Sequence, residues 1–116
     1  LLGAYLPASY MESTKARMEA YTQLARVCTT DDVDDLERQW RDRFGPLPHE
    51  VAHLLTVHKI RILATRRNIT NVEISGQKLM LTRNNDYILD NKRFPRLQKS
   101  KPAEKLQEAL RMLQCM

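Results

Sequence analysis

Cysteine is scarce in this 116-residue chain, and its two copies, Cys28 and Cys115, stand far apart with no CxxC spacing. Neither a zinc ribbon nor a disulfide framework is implied, and Cys28 reads as a small buried residue on a helix face. No apolar run approaches the ~20 residues needed to cross a bilayer. No basic-then-apolar-then-small leader opens the chain either, so the expectation is a cytoplasmic protein with no membrane role. There is no GxxxxGK[ST] pattern to cradle nucleotide phosphates, which argues against an isolated ATPase. Repeats and low-complexity segments are lacking as well. The chain opens on Leu1 instead of methionine, which suggests a piece of a longer polypeptide whose other functions lie elsewhere.

What is present suits one core. At 116 residues and 42% hydrophobic content, the expectation is a single domain over residues 1–116. The formal charge of +5 and pI near 9.5 permit contact with nucleic acid or an acidic surface. The positive excess gathers at Arg61, Arg66 and Arg67, and at Lys92, Arg93, Arg96, Lys99 and Lys101, with no Gly-rich loop or paired aromatics among them. A solvated face is the simpler reading of such a run. The alternative is a basic nucleic-acid-binding module, in which Lys92 to Lys101 and Arg66-Arg67 contact phosphates.

Periodicity predicts the elements. From Glu12 to Cys28, Met18, Tyr21, Leu24, Ala25 and Cys28 form one stripe of an amphipathic helix. Thr29 and Thr30 offer cap oxygens ahead of Asp31, Asp32, Asp34 and Asp35, acids that suit the positive end of a second helix. That helix buries Val33, Leu36 and Trp40, carries Arg38, Arg41 and Arg43 toward its negative end, and stops at Gly45, ahead of Pro46. Pro48 suits the first turn of a third helix, which runs to about Arg67. Val51, Leu54, Leu55 and Ile62 form its stripe, with Val57, Ile60 and Ala64 widening it, so it is predicted to be the most buried. Val72/Ile74 and Leu79/Leu81 around Ser75-Gly76-Gln77 predict a β-hairpin, Tyr87-Ile88-Leu89 a short further strand. Pro102 opens a last helix with a stripe of Leu106, Leu110 and Leu113. The fold class is α+β: three N-terminal helices and a C-terminal helix packed on a small antiparallel sheet.

The stretch His49-Glu50-Val51-Ala52-His53 spells HExxH, the zinc-protease pattern in which two histidines one turn apart bind metal and the glutamate is the base. A third ligand is hard to find. His58 sits on the same helix, rotated away, and Glu73 is the remaining carboxylate. Val51 and Leu54 belong to the core stripe, so His49 and His53 are expected on an exposed neighbouring face with no metal.

The joint ahead of it is more specific. Tyr5-Leu6-Pro7 with Tyr10-Met11, then Arg17-Met18-Glu19-Ala20-Tyr21-Thr22-Gln23-Leu24-Ala25, then Asp34-Asp35-Leu36 and the block Asp42-Arg43-Phe44-Gly45-Pro46-Leu47-Pro48 follow one another in order. Glu50-Val51 and Leu54-Leu55 continue the series, and Arg67-Asn68-Ile69 closes it. In these stretches, from Ala4 to about Ile74, the chain resembles the C-terminal (TRCF) domain of the bacterial transcription-repair coupling factors, the Mfd family. These are large ATP-dependent DNA translocases that remove stalled RNA polymerase and recruit nucleotide excision repair.

The resemblance implies a regulatory, non-catalytic C-terminal domain of a larger translocase. In the family this domain folds back on the UvrB-like N-terminal module of the same protein and masks the surface that binds UvrA, so UvrA is an indirect partner. RNA polymerase and DNA are partners of the parent, whose motor domains use ATP and Mg; no cofactor is implied in this domain. The family's latch sets acidic side chains before the glycine-proline joint against basic residues of the UvrB-like module. Asp42 matches one such position and Gln39 occupies the other. The structural alternative for Asp42 is a local ion pair, or a cap on the joint through Arg43. Arg43, Phe44, Gly45, Pro46, Leu47 and Pro48 form the structural motif, with Phe44 and Trp40 as core anchors.

Overall fold

A computed structural model describes residues 4–89 and 92–115. Among these residues, four helices and three strands follow in the order α1 (Thr14–Arg26), α2 (Thr30–Phe44), α3 (His49–Arg66), β1 (Ile69–Ser75), β2 (Lys78–Arg83), β3 (Asp86–Tyr87) and α4 (Pro102–Gln114). The fold is α+β, with helices at both ends of the chain. Its residues cluster into two compact units, Leu1–Lys59 and Ile60–Met116.

In the first unit, α1 starts at Ser13, whose hydroxyl accepts from the Ala16 N–H at 3.2 Å, and ends where Val27 turns extended. It is shorter than predicted, and its stripe lies elsewhere. Ala20 and Leu24 are buried, whereas Met18 (66%) and Tyr21 (41%) are exposed, as is Ala25. Two polar anchors account for the rotation. Arg17 Nη1 donates to the Met11 and Glu12 carbonyls at 2.6 and 3.2 Å, and the Tyr21 hydroxyl accepts from the Leu6 N–H at 2.8 Å. These bonds hold the leading segment, where Leu6 and Met11 are buried. The R-x-x-x-Y spacing thus serves to dock Leu6 to Glu12, and polar geometry outweighs apolar spacing. Cys28 lies past the helix end and is exposed, with its Sγ 3.6 Å from the Arg26 carbonyl. The buried reading of Cys28 was wrong because the helix stops two residues earlier.

Helix α2 follows its sequence closely. The Thr29 hydroxyl accepts from the Asp32 N–H at 3.1 Å, the first turn carries Asp31 and Asp32, and the last carries Arg41 and Arg43. Val33, Leu36 and Trp40 are buried. Helix α3 is at least half-covered along most of its length, polar residues included: only His49, Arg61, Thr65 and Arg66 are exposed. It supplies Val51 and Leu55 to the first unit and Ile60, Ile62, Leu63 and Ala64 to the second. Leu54, predicted within the stripe, is half-buried. Pro48 sits just before the helix, where its carbonyl accepts from the Val51 and Ala52 N–H groups, both at 3.1 Å.

In the second unit, Asn68 takes the left-handed conformation (φ 60°) that ends α3 and starts β1. The predicted hairpin forms, and its register sets Val72 opposite Leu81 and Ile74 opposite Leu79 across the antiparallel β1–β2 ladder. Gly76 (φ 61°) and Gln77 make the two-residue turn between the strands. The third strand is Asp86–Tyr87 alone, pairing Thr82 with Tyr87, and the Ile88 N–H continues to the Leu81 carbonyl at 2.8 Å. Beyond it, Lys78 and Arg96 form an antiparallel bridge. Leu79 and Leu81 point to the buried side of the sheet, while Leu106, Ala109, Leu110 and Leu113 are the buried line of α4. Arg67 Nε donates to the Leu113 carbonyl at 2.8 Å, and Arg83 Nε to the Arg67 carbonyl at 2.8 Å.

Candidate functional site: the exposed face of helix α2

With Val33, Leu36 and Trp40 turned inward, helical spacing puts Asp31, Asp35, Arg38 and Asp42 in a line on the opposite side, all exposed. Gln39 flanks that line and is exposed too. Most charges near it are already matched. Arg38 pairs with Asp35, Arg41 Nε lies 3.2 Å from Glu37 Oε2, and Lys59 pairs with Asp34. Asp42 differs: Arg38, one turn back on the same line, is paired with Asp35, the adjacent Arg41 is paired with Glu37 and the adjacent Arg43 lies over the Phe44 ring, and Asp42 has no ion pair among the described residues. The local-pair role for Asp42 therefore has no counterpart in the structure.

Immediately beyond Asp42 the chain turns sharply. Gly45 has φ 96° and ψ −169°, and its N–H closes the helix on the Arg41 carbonyl at 3.0 Å. This is not the left-handed helical conformation expected of a stop, but a more extended region populated almost solely by glycine. Phe44 is half-buried instead of a core anchor. Its ring leans on Tyr10 (centroids 5.7 Å apart, 52° between planes) and carries the Arg43 guanidinium 4.9 Å above it. Trp40 is buried as predicted. Pro46 is exposed, and Leu47 and Pro48 are half-buried.

Tyr10 is the residue the sequence did not reveal. Its hydroxyl reaches the Gly45 carbonyl at 2.8 Å and the Trp40 carbonyl at 3.1 Å, and burial pushes its phenol above the ordinary value, with the Arg41 charge opposing. It fixes the joint that orients the end of the α2 face. A tyrosine in the leading segment, beside a leucine-proline pair, was the available signal.

The HExxH stretch has a local explanation. His49 is exposed, its Nδ1 is 3.2 Å from Glu50 Oε1, and its ring meets that of His53 edge-on with centroids 5.8 Å apart. Among the described residues, no three His, Cys, Asp or Glu side chains converge on a common metal position. No helix among them is long and apolar enough to cross a membrane.

The chain is of the α+β class: three helices lead into a hairpin-centred sheet, and a last helix follows. The description "TRCF domain" fits residues 2–94, and the chain belongs to that family. Among similar proteins, the transcription-repair-coupling factor of Staphylococcus haemolyticus (strain JCSC1435) is 35% identical over 78 residues, which span 67% of this chain and 7% of that protein. The same-named protein of Staphylococcus aureus (strain USA300) is 36% identical over 76 residues, 66% of this chain and 6% of its own length. The fold resembles the crystal structure of the C-terminal domain of transcription-repair coupling factor, with a TM-score of 0.78 and 20% identity, over 96% of this chain and 84% of that one. The family match reaches about twenty residues beyond Ile74, where the sequence resemblance stopped.

Proposed function

We propose that this domain is the autoinhibitory latch of a transcription-repair coupling factor, an ATP-dependent DNA translocase that removes stalled RNA polymerase and recruits nucleotide excision repair. It folds onto the UvrB-like N-terminal module of its own polypeptide and masks the surface that UvrA binds. The domain itself is non-catalytic and holds no cofactor; ATP and Mg serve the parent's motors, RNA polymerase and DNA are the parent's partners, and the protein works in the cytoplasm.

The observation that carries this reading is Asp42, an exposed carboxylate whose neighbours Arg38 and Arg41 are paired with other acids. An unpaired charge at the end of a helix anchored by Gly45 and Tyr10 presents a fixed point to a basic partner. Gln39 adds a neutral hydrogen-bonding group beside it. A single exposed charge pair contributes about 0.2–1 kcal/mol, so Asp42 tunes such a latch instead of forming it alone. That suits a contact which a partner must displace.

The direct test is binding in trans. The 116-residue chain should bind an isolated UvrB-like module, more weakly as salt rises, and Asp42→Lys should weaken it further while leaving the melting temperature unchanged. No binding at low salt would contradict the reading.

A further inference from the structure

The second unit is strongly basic: twelve of the chain's Lys and Arg residues but only five of its Asp and Glu lie from Ile60 onward. Some of these cations have structural duties. Arg67, Arg83 and Lys105 each donate to a backbone carbonyl, of Leu113, Arg67 and Gly76 respectively. Arg67 is therefore not available to phosphates in the way its sequence position implied. The others are organised by the sheet. Because Leu79 and Leu81 face the buried side, Lys78, Met80 and Thr82 face the opposite one. Tyr87, paired with Thr82, and Arg96, bridged to Lys78, join them on that open face.

Two aromatics meet there. Tyr87 is 53% exposed, and its ring meets Phe94 at 5.1 Å between centroids and 82° between planes. The sequence showed no paired aromatics in the basic run, because six residues separate Tyr87 from Phe94. Even in this edge-on pair more than half of Tyr87 stays open to solvent. Lys78, Lys92, Arg93 and Arg96 are exposed, and none forms an ion pair among the described residues. The one acid on this face of β1 and β2, Glu73, accepts from Asn71 Nδ2 at 2.8 Å.

We infer that this open sheet face binds single-stranded nucleic acid, with a base stacked on Tyr87 and the backbone phosphates on Lys78, Arg96 and the flanking Lys92 and Arg93. An exposed aromatic set among unpaired cations on an antiparallel sheet meets both requirements of a single strand: a π-face for the base, and positive charge along the phosphates. A duplex hides its bases and uses only the charge. An acidic peptide has the charge and no base to stack. This surface belongs to the second unit and shares no residue with the α2 face, so it stands or falls independently of the latch.

The test is fluorescence anisotropy of the 116-residue chain with a labelled oligothymidylate, a duplex of the same length, and polyglutamate as competitor. The single strand should bind more tightly than the duplex, with a log–log salt slope of roughly −2 to −3 if three or four phosphates are neutralised. Tyr87→Ala should weaken single-strand binding about tenfold, whereas Tyr87→Phe keeps the ring and should keep the affinity. Lys78→Glu combined with Arg96→Glu should abolish it. Comparing the alanine and phenylalanine variants at equal melting temperature separates stacking from folding. No binding at low salt, equal affinity for duplex, equal competition by polyglutamate, or an unaltered Tyr87→Ala variant would each overturn the assignment; the last three would leave a general polyanion surface instead.

Discussion

The Tyr10 hydroxyl donates to the Gly45 carbonyl at 2.8 Å, joining residues 35 positions apart. The leading segment thereby clasps the end of helix α2, and Arg17 and Tyr21 in turn hold that segment. Tyr10→Phe should cost about 1 kcal/mol of stability, the net worth of a partly buried hydrogen bond. Because burial raises the Tyr10 pKa above 10.0, the neutral phenol is favoured in the folded state. Its contribution is complete below pH 10.0 and declines as pH rises through the raised value. Urea melts from neutral to alkaline pH should show this loss in the native chain and a smaller one in Tyr10→Phe.

Gly45→Ala should destabilise the domain by about 1–3 kcal/mol through backbone strain alone. A Cβ at Gly45 would meet no atom within 4 Å, so the cost does not come from a clash. Gly45→Asn is the sharper probe. Asparagine tolerates the left-handed helical region, but not φ 96° with ψ −169°, so it should fare no better than alanine in a denaturant midpoint. Rescue by asparagine would mean an ordinary left-handed helix stop.

Acid should loosen the start of the C-terminal helix region. The Glu108 carboxylate accepts the Gln98 N–H at 2.9 and 2.8 Å and the Lys99 N–H at 3.0 Å, and these bonds hold its pKa below the ordinary 4.5. A depressed carboxylate stabilises the fold above its unfolded value and loses that contribution as pH falls through the folded one. Protection of the Gln98 and Lys99 amides, relative to their intrinsic exchange, should therefore fall as pH drops through the depressed Glu108 value. Glu108→Gln should show fast exchange there already at neutral pH.

Zinc should not bind at the HExxH stretch. After incubation with zinc and dialysis, the chain should retain far less than one equivalent, and His49→Ala should leave its melting temperature nearly unchanged, since His49 is exposed. Stoichiometric zinc lost in that variant would contradict this.

Much of the fold was legible where local chemistry and burial agree. The Thr29 cap, the glycine stop of α2, the Val72–Leu81 and Ile74–Leu79 pairs and the leucine line of α4 all follow from residue type and spacing. What escaped depended on contacts distant in sequence. The buried side of α1 is set by Arg17 and Tyr21 reaching back to the leading segment, so Met18 is exposed despite its apolar spacing, and Cys28 is exposed because α1 ends at Arg26. The site was half legible. Resemblance indicated Asp42 and Gln39, but the engagement of Arg38 by Asp35, of Arg41 by Glu37 and of Arg43 by the Phe44 ring, which leaves Asp42 without an ion pair among the described residues, is visible only in the structure. The Tyr87–Phe94 pair joins rings seven positions apart, a spacing that strand periodicity does not single out.

The most direct measurement of the latch is UvrA affinity for four forms of the parent: intact, Asp42→Asn, Asp42→Lys and lacking this domain, each checked by thermal melting. A masking contact subtracts its free energy from UvrA binding, so affinity should rise in that order. Neutralising Asp42 removes an attraction, reversing it adds a repulsion, and deletion removes the whole contact. Equal UvrA affinity in the intact and deleted forms would contradict the account.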